Sequence, residues 1–173
     1  LRLPSGMPLP DPAAEFDVLV RSRYGIIVLD TPDDSQADEL IRAVATRESL
    51  PLWAWSRHAG LRRNGGDGRV LPATAPPPQA LQRTAAAGAA GPLVFPVREA
   101  WLEESGVPSA LREAGDALGR VRGAVVLVGE HVRLAPALGR EAALLRLPVP
   151  SEAEYRDLLR RLVRDLQPRV ELA

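Results

Sequence analysis

The sequence predicts an α/β fold, a three-layer α/β/α domain on a mainly parallel, five-stranded sheet, and three observations lead there. Segments 24–30 (YGIIVLD) and 123–129 (GAVVLVG) are apolar on both faces and rich in β-branched residues, the pattern of strands buried inside a parallel sheet. Helix-spaced apolar residues alternate with strand-like runs along the chain. Capping residues stand where a strand should hand over to a helix, as at Asp33 and Ser151.

Pro12 is a favourable first-turn residue, and Phe16, Leu19 and Val20 then give residues 12–22 one apolar helical face. After the strand at 24–30, the turn Thr31-Pro32-Asp33-Asp34-Ser35 opens a helix whose stripe is Leu40, Ile41 and Val44 and which runs to about Glu48. The second strand is 50–56, with Trp53 and Trp55 on one face and Leu52 and Ala54 on the other. Residues 57–78 are the least regular part, and Asn64-Gly65 and Asp67-Gly68 favour a small hairpin or a mobile loop there. A short helix at 79–87 ends at Gly88, and the third strand, 92–97, carries Pro96, which predicts an exposed side or local irregularity.

Around Gly106-Val107-Pro108 the pattern turns into a helix through Leu111 and Leu118, followed by the strand at 123–129. The fifth strand is 143–149. Ser151 and Glu154 then form a capping box for a helix with Tyr155, Leu158, Leu159, Leu162 and Leu166 on one face, ended by Pro168. The expected organisation is a flexible leader or tag remnant at 1–11, one folded domain at 12–167, and the start of a linker at 168–173. The chain begins on Leu1, and Met7 is a candidate native start.

Composition narrows the function classes. The 173 residues carry 22 basic and 22 acidic groups, so no net field steers the chain toward nucleic acid or an anionic membrane. It holds no cysteine, which removes disulfides, thiolate metal sites and cysteine nucleophiles. No run approaches the roughly 18 apolar residues of a membrane span, and a cytoplasmic location is the default. Every basic residue is arginine, beside 14 glycines and 17 prolines, the signature of a GC-rich bacterial genome. Without lysine there is no phosphate-loop lysine and no Schiff-base lysine.

Ligands of an open parallel sheet collect at the carboxyl ends of its strands, so the loop after the first strand is the place to look. A phosphate loop needs glycines, whose amides wrap the phosphates, then lysine and a hydroxyl. The chain offers Asp30-Thr31-Pro32-Asp33-Asp34, in which proline removes a donor and three carboxylates repel phosphate. Asp30, Asp33 and Asp34 are instead candidate magnesium ligands of a small phosphate-handling enzyme, although the two-residue gap between Asp30 and Asp33 differs from the one-residue gap of haloacid-dehalogenase-type phosphatases. Helix capping by Asp33 and Asp34 is the plainer reading. His58 and His131 have no second metal ligand at a recognisable spacing. Trp53, Trp55, Arg57 and Arg62 combine aromatics with arginines, the composition of interface centres, and are the candidate partner-binding residues. Single-stranded nucleic acid would use the same chemistry, but the neutral net charge disfavours it.

The segments also resemble a known family. Arg23-Tyr24 ahead of the first strand, then Pro51, Leu52, Trp53, Trp55, Ser56, Gly60 and Leu61, then Leu147, Pro148, Pro150, Ser151 and Glu152 match the N-terminal, degenerate domain of AAA+ ATPases typified by a plastid and cyanobacterial open-reading-frame family. The resemblance spans residues 15–167. It implies a RecA-like sheet without a competent ATP site, contacts to a protein partner or neighbouring AAA+ subunits, and ATP and magnesium handled by a downstream module that lies outside these 173 residues. No catalytic residue carries over. Where the family leads one to expect an aspartate near the end of the third strand, this chain has Val97-Arg98-Glu99.

Overall fold

A computed structural model describes residues 11–64, 70–88, 90–97 and 100–148, and positions 156, 159 and 160. The leader through residue 10, the tip of the 57–78 region at 65–69, Arg98-Glu99, the Ser151/Glu154 capping box, most of the last helix and the 168–173 linker lie outside the described residues.

Asp11 caps α1 (Pro12–Arg21) by accepting from the Ala13 amide at 3.0 Å. Strand β1 (Ile26–Asp30) leads into α2 (Asp34–Arg47), which is capped by Asp33. Strand β2 (Leu52–Ser56) turns through Arg57, His58 and Ala59 into β3 (Gly60–Asn64). Then follow α3 (Pro77–Ala87), closed by Gly88 at φ 54, and β4 (Gly91–Pro96). A 3-10 turn (Ala100–Glu103) precedes α4 (Val107–Arg120) and β5 (Gly123–Gly129). The short α5 (Pro136–Gly139) and β6 (Ala143–Arg146) complete the order.

The sheet runs β3-β2-β4-β5-β1-β6, and every neighbouring pair is parallel except β2 with β3. The fold class is therefore the predicted one with a correction: six strands instead of five. The added strand pairs antiparallel at the edge, and its reversal lies at Arg57–Ala59, ahead of the glycine pairs singled out in the sequence. Those pairs fall between Arg62 and Val70, which bridge antiparallel.

Pro96 also reads differently in place. Strand β4 is interior, flanked by β2 and β5. Gly91 and Val97 donate to Arg122 and Val128, so odd-numbered residues face β5 and Pro92 and Pro96 face β2. Pairing with β2 is confined to Leu93 and Val94, between the prolines, and their missing amides leave no ladder bond unmade.

Two apolar layers sandwich the sheet. On one face Ile26, Val28, Trp55, Leu93, Phe95, Val125 and Leu127 pack under α3 and α4. On the other, Ile27, Leu29, Ala124, Val126, Val128 and Leu145 pack under α1 and α2. The period-two reading of β2 holds, since Trp53 and Trp55 belong to the first layer and Leu52 to the second.

One close approach sets the spacing of the first layer. A Cβ on Gly25 would stand 1.9 Å from the Gly115 carbonyl oxygen, so α4 rests directly on the backbone that enters β1. Backbone cannot yield as a flexible side chain does. Gly25→Ala is expected to lower stability by about 2–4 kcal/mol, whereas Gly139→Ala, with nothing within 4 Å of the added atom, should stay within about 0.5 kcal/mol of the parent in urea unfolding.

Candidate functional site

The order of strands reverses around β1. Through α2 the chain passes from β1 to β2 on one side, and from β5 it crosses β1 to reach β6 on the other. The crevice at their carboxyl ends is where such a sheet takes a ligand. Its geometry is set by the three residues between β1 and α2: Thr31, Pro32 and Asp33.

Asp33 turns its carboxylate back onto the helix, and one oxygen accepts from the amides of Ser35 at 2.9 Å and Gln36 at 3.3 Å. First-turn amides are the donors a helix offers to a bound anion. Here the chain's own carboxylate occupies them. Thr31, 2% exposed, braces the turn by accepting at Oγ1 from the Asp33 amide at 3.1 Å.

Asp30 closes the other side. Its Oδ1 accepts from the His131 amide at 2.8 Å, and its Oδ2 lies 3.5 Å from Arg146 Nε. The Asp30 carbonyl accepts from Leu147, and the Thr31 amide donates to Gly129. One aspartate thus joins the end of β1, the turn after β5 and the end of β6. His131 holds its amide toward Asp30 at φ 54, and its ring stands 3.5 Å from Glu130. Gln36 Nε2 adds a bond to the Pro148 carbonyl at 3.2 Å.

Among the described residues no group of three His, Asp or Glu side chains is placed to hold a metal. Asp30 at the end of β1 and Asp33 at the cap of α2 point their oxygens at different amides, and Asp34 opens α2 with a partner of its own. His58 lies in the exposed β2–β3 turn, in sequence far from His131.

The four partner-binding candidates separate. Trp55 is 4% exposed and is corrected to a core residue: it stacks on Phe95 at 4.9 Å and tilts against Trp101 at 5.4 Å. Trp53 is half-buried beside the same cluster, and its Nε1 is buried without a hydrogen-bond partner. Arg57 pairs with Glu104, and Arg62 is exposed on β3 opposite Ala54.

Sequence reasoning missed the residue that organises this corner. Thr74, 1% exposed, accepts at Oγ1 from the Leu61 amide, donates to the Leu71 carbonyl, and its own carbonyl accepts from Trp55 Nε1 at 2.9 Å. The only local signal was a threonine among prolines and alanines.

Residues 12–147 match the family model described as SpoVK-like AAA ATPase, N-terminal domain. In fold the chain is similar to the structure of C. elegans PCH-2, with a TM-score of 0.58 and 13% sequence identity over 90% of this chain and 47% of that one. The chain therefore spans about half the length of PCH-2. No curated protein matches it in sequence. No helix among the described residues is long and apolar enough to cross a membrane.

Three substitutions separate the roles assigned above. Asp33→Ala should cost about 1 kcal/mol as a lost helix cap. Asp30→Ala should cost about 1–2 kcal/mol by removing the charged acceptor of the His131 amide. Trp55→Ala, which empties a core site, should cost about 3–5 kcal/mol. Urea unfolding of each against the parent chain reads the order.

Proposed function

This chain belongs to the SpoVK-like AAA ATPase N-terminal domain family, and from that premise we propose that it is a non-catalytic regulatory or assembly domain acting through contacts with neighbouring subunits or a protein partner. The observation that carries the reading is the loop after β1. A RecA-like sheet binds nucleotide by presenting free amides, a lysine and a hydroxyl at this point. Here Pro32 has no amide to give, Asp33 holds those of Ser35 and Gln36, and the chain has no lysine. The residues at this crevice do not fit ATP with magnesium, and ATP binding and hydrolysis belong in this reading to a downstream AAA+ module.

Contacts remain as the domain's work. Arg57 and Arg62 stand on the surface around the β2–β3 edge, with Trp53 half-buried beside them, which supports an aromatic-arginine contact patch. The affinity with the plastid and cyanobacterial branch rests on the Arg23-Tyr24 and Pro51 to Leu61 matches. The domain works in the cytoplasm of a bacterium in this reading, without metal, nucleic acid or membrane among its partners.

Calorimetric titration of the chain with ATP and magnesium tests the proposal. The expected result is no saturable heat, meaning a Kd weaker than about 1 mM. Stoichiometric binding that weakens on Asp30→Ala or Asp33→Ala would return the domain to the nucleotide-handling class.

A further inference from the structure

We infer that the amino end of the sheet, centred on Arg23, Tyr24, Arg120 and Val121, docks against the acidic carboxyl end of a second copy of this chain. This deepens the contact role proposed above and rests on it.

The formal charges of the sequence cancel, yet the fold sorts them. With β3 aside, all strands run one way, so helix-to-strand connections gather at one end of the sheet and strand-to-helix connections at the other. Among the described residues, the last helical turns and the connections into β1, β2, β5 and β6 carry Arg21, Arg23, Arg47, Arg120, Arg122 and Arg140 against Glu48 and Glu141. The opposite strand ends and the connections that leave them carry Asp30, Asp33, Asp34, Glu103, Glu104 and Glu130 against Arg57, Arg133 and Arg146. Strand β5, with 7 residues, spans about 23 Å, and 0.1 M salt screens charge over about 10 Å. The two ends therefore act as separate poles.

Pairing with helix dipoles accounts for Arg21, Arg47 and Arg120, which stand in last turns. It does not account for Arg23 and Arg122. Both lie beyond a helix end, at φ 64 and φ 57, in the left-handed conformation that glycine adopts with least strain and that Gly88 supplies after α3. Arginine in both places keeps a guanidinium at the entry to each of two neighbouring strands. The register of Ile26 on Val125, carried back three positions, sets the two side by side.

Apolar surface lies among these charges. Tyr24 is 44% exposed and Val121 is 37% exposed. A cavity of about 240 Å³ opens between Arg23, Tyr24, Arg112 and Arg120, with Asp116 and Glu141 also on its wall. Arg112 holds Glu141 at 3.1 Å, whereas Arg23 and Arg120 have no ion-pair partner among the described residues. An exposed aromatic ringed by arginines has the composition of a docking centre, and guanidinium forks match carboxylates. The chain carries the matching surface at its other pole, where Glu103 and Glu130 are exposed. Joining unlike ends of two copies is a head-to-tail contact, the kind that builds rings and filaments.

Sedimentation equilibrium tests the contact. In about 0.1 M salt the average mass of the chain should rise with concentration, and about 1 M salt, which shortens screening to about 3 Å, should weaken the association about tenfold or more. Arg23→Glu with Arg120→Glu should give a monomer, and so should Glu103→Arg with Glu130→Arg. An equimolar mixture of these two double variants should associate again, because the reversed pair is complementary, and that recovery shows both to be folded. Arg63→Glu with Arg83→Glu, the same charge change placed away from this end of β1 and β5, should associate like the parent. A parent chain that stays monomeric to about 1 mM, end variants that associate as the parent does, a mixture that stays monomeric, or a control that loses association would overturn the inference. Nucleotide has no part in this measurement, so a monomeric chain beside a silent ATP titration removes the end-to-end contact and leaves the non-catalytic reading standing.

Discussion

Asp33 holds the amides of Ser35 and Gln36 at the start of α2. The bonds to Ser35 and Gln36 start α2 only three residues after β1 ends, and that short connection fixes the helix over the strands. The same contact that caps the helix occupies two of its first-turn amides. Asp30 extends the effect across the sheet by tying the β5 turn and the end of β6 to β1. A crevice that other sheets of this type leave for a ligand is here bridged by the chain itself.

Once the carboxyl end is closed, the distribution of surface follows. Helices α1 and α2 lie on one face and α3 and α4 on the other, and the antiparallel β3 extends the sheet at its edge. Close contact of α4 with Gly25 draws one layer tight. Arginine suits such a surface, since its planar fork keeps its charge and pairs with carboxylates in a fixed geometry. Arg57 with Glu104, Arg112 with Glu141 and Arg122 with Glu48 each tie separate elements together.

Local physics made much of this legible in the sequence. Strands β1 and β5 were readable because burial on both faces demands unbroken apolar runs, and Asp33 was readable as a cap because capping acts over two or three residues. Strand β3 escaped because an edge strand can carry exposed arginines on both faces, as at Arg62-Arg63, and then resembles a loop. Pro96 misled because its tolerance depends on which neighbour its nitrogen faces. Periodicity placed Trp53 and Trp55 on one face but could not say that Thr74, 19 residues from Trp55, would seal only the latter. The Asp30 bond to His131 spans 101 positions and has no local signature.

Amide exchange of Ser35, Gln36 and His131, followed by nuclear magnetic resonance with and without ATP and magnesium, is the most direct test of a crevice closed by its own carboxylates. Protected amides whose shifts ignore the nucleotide, and which lose protection on removal of the Asp33 or Asp30 carboxylate, are the expected result. Saturable shifts of these amides with nucleotide would show the donors to be available, and would contradict the closure on which the functional reading stands.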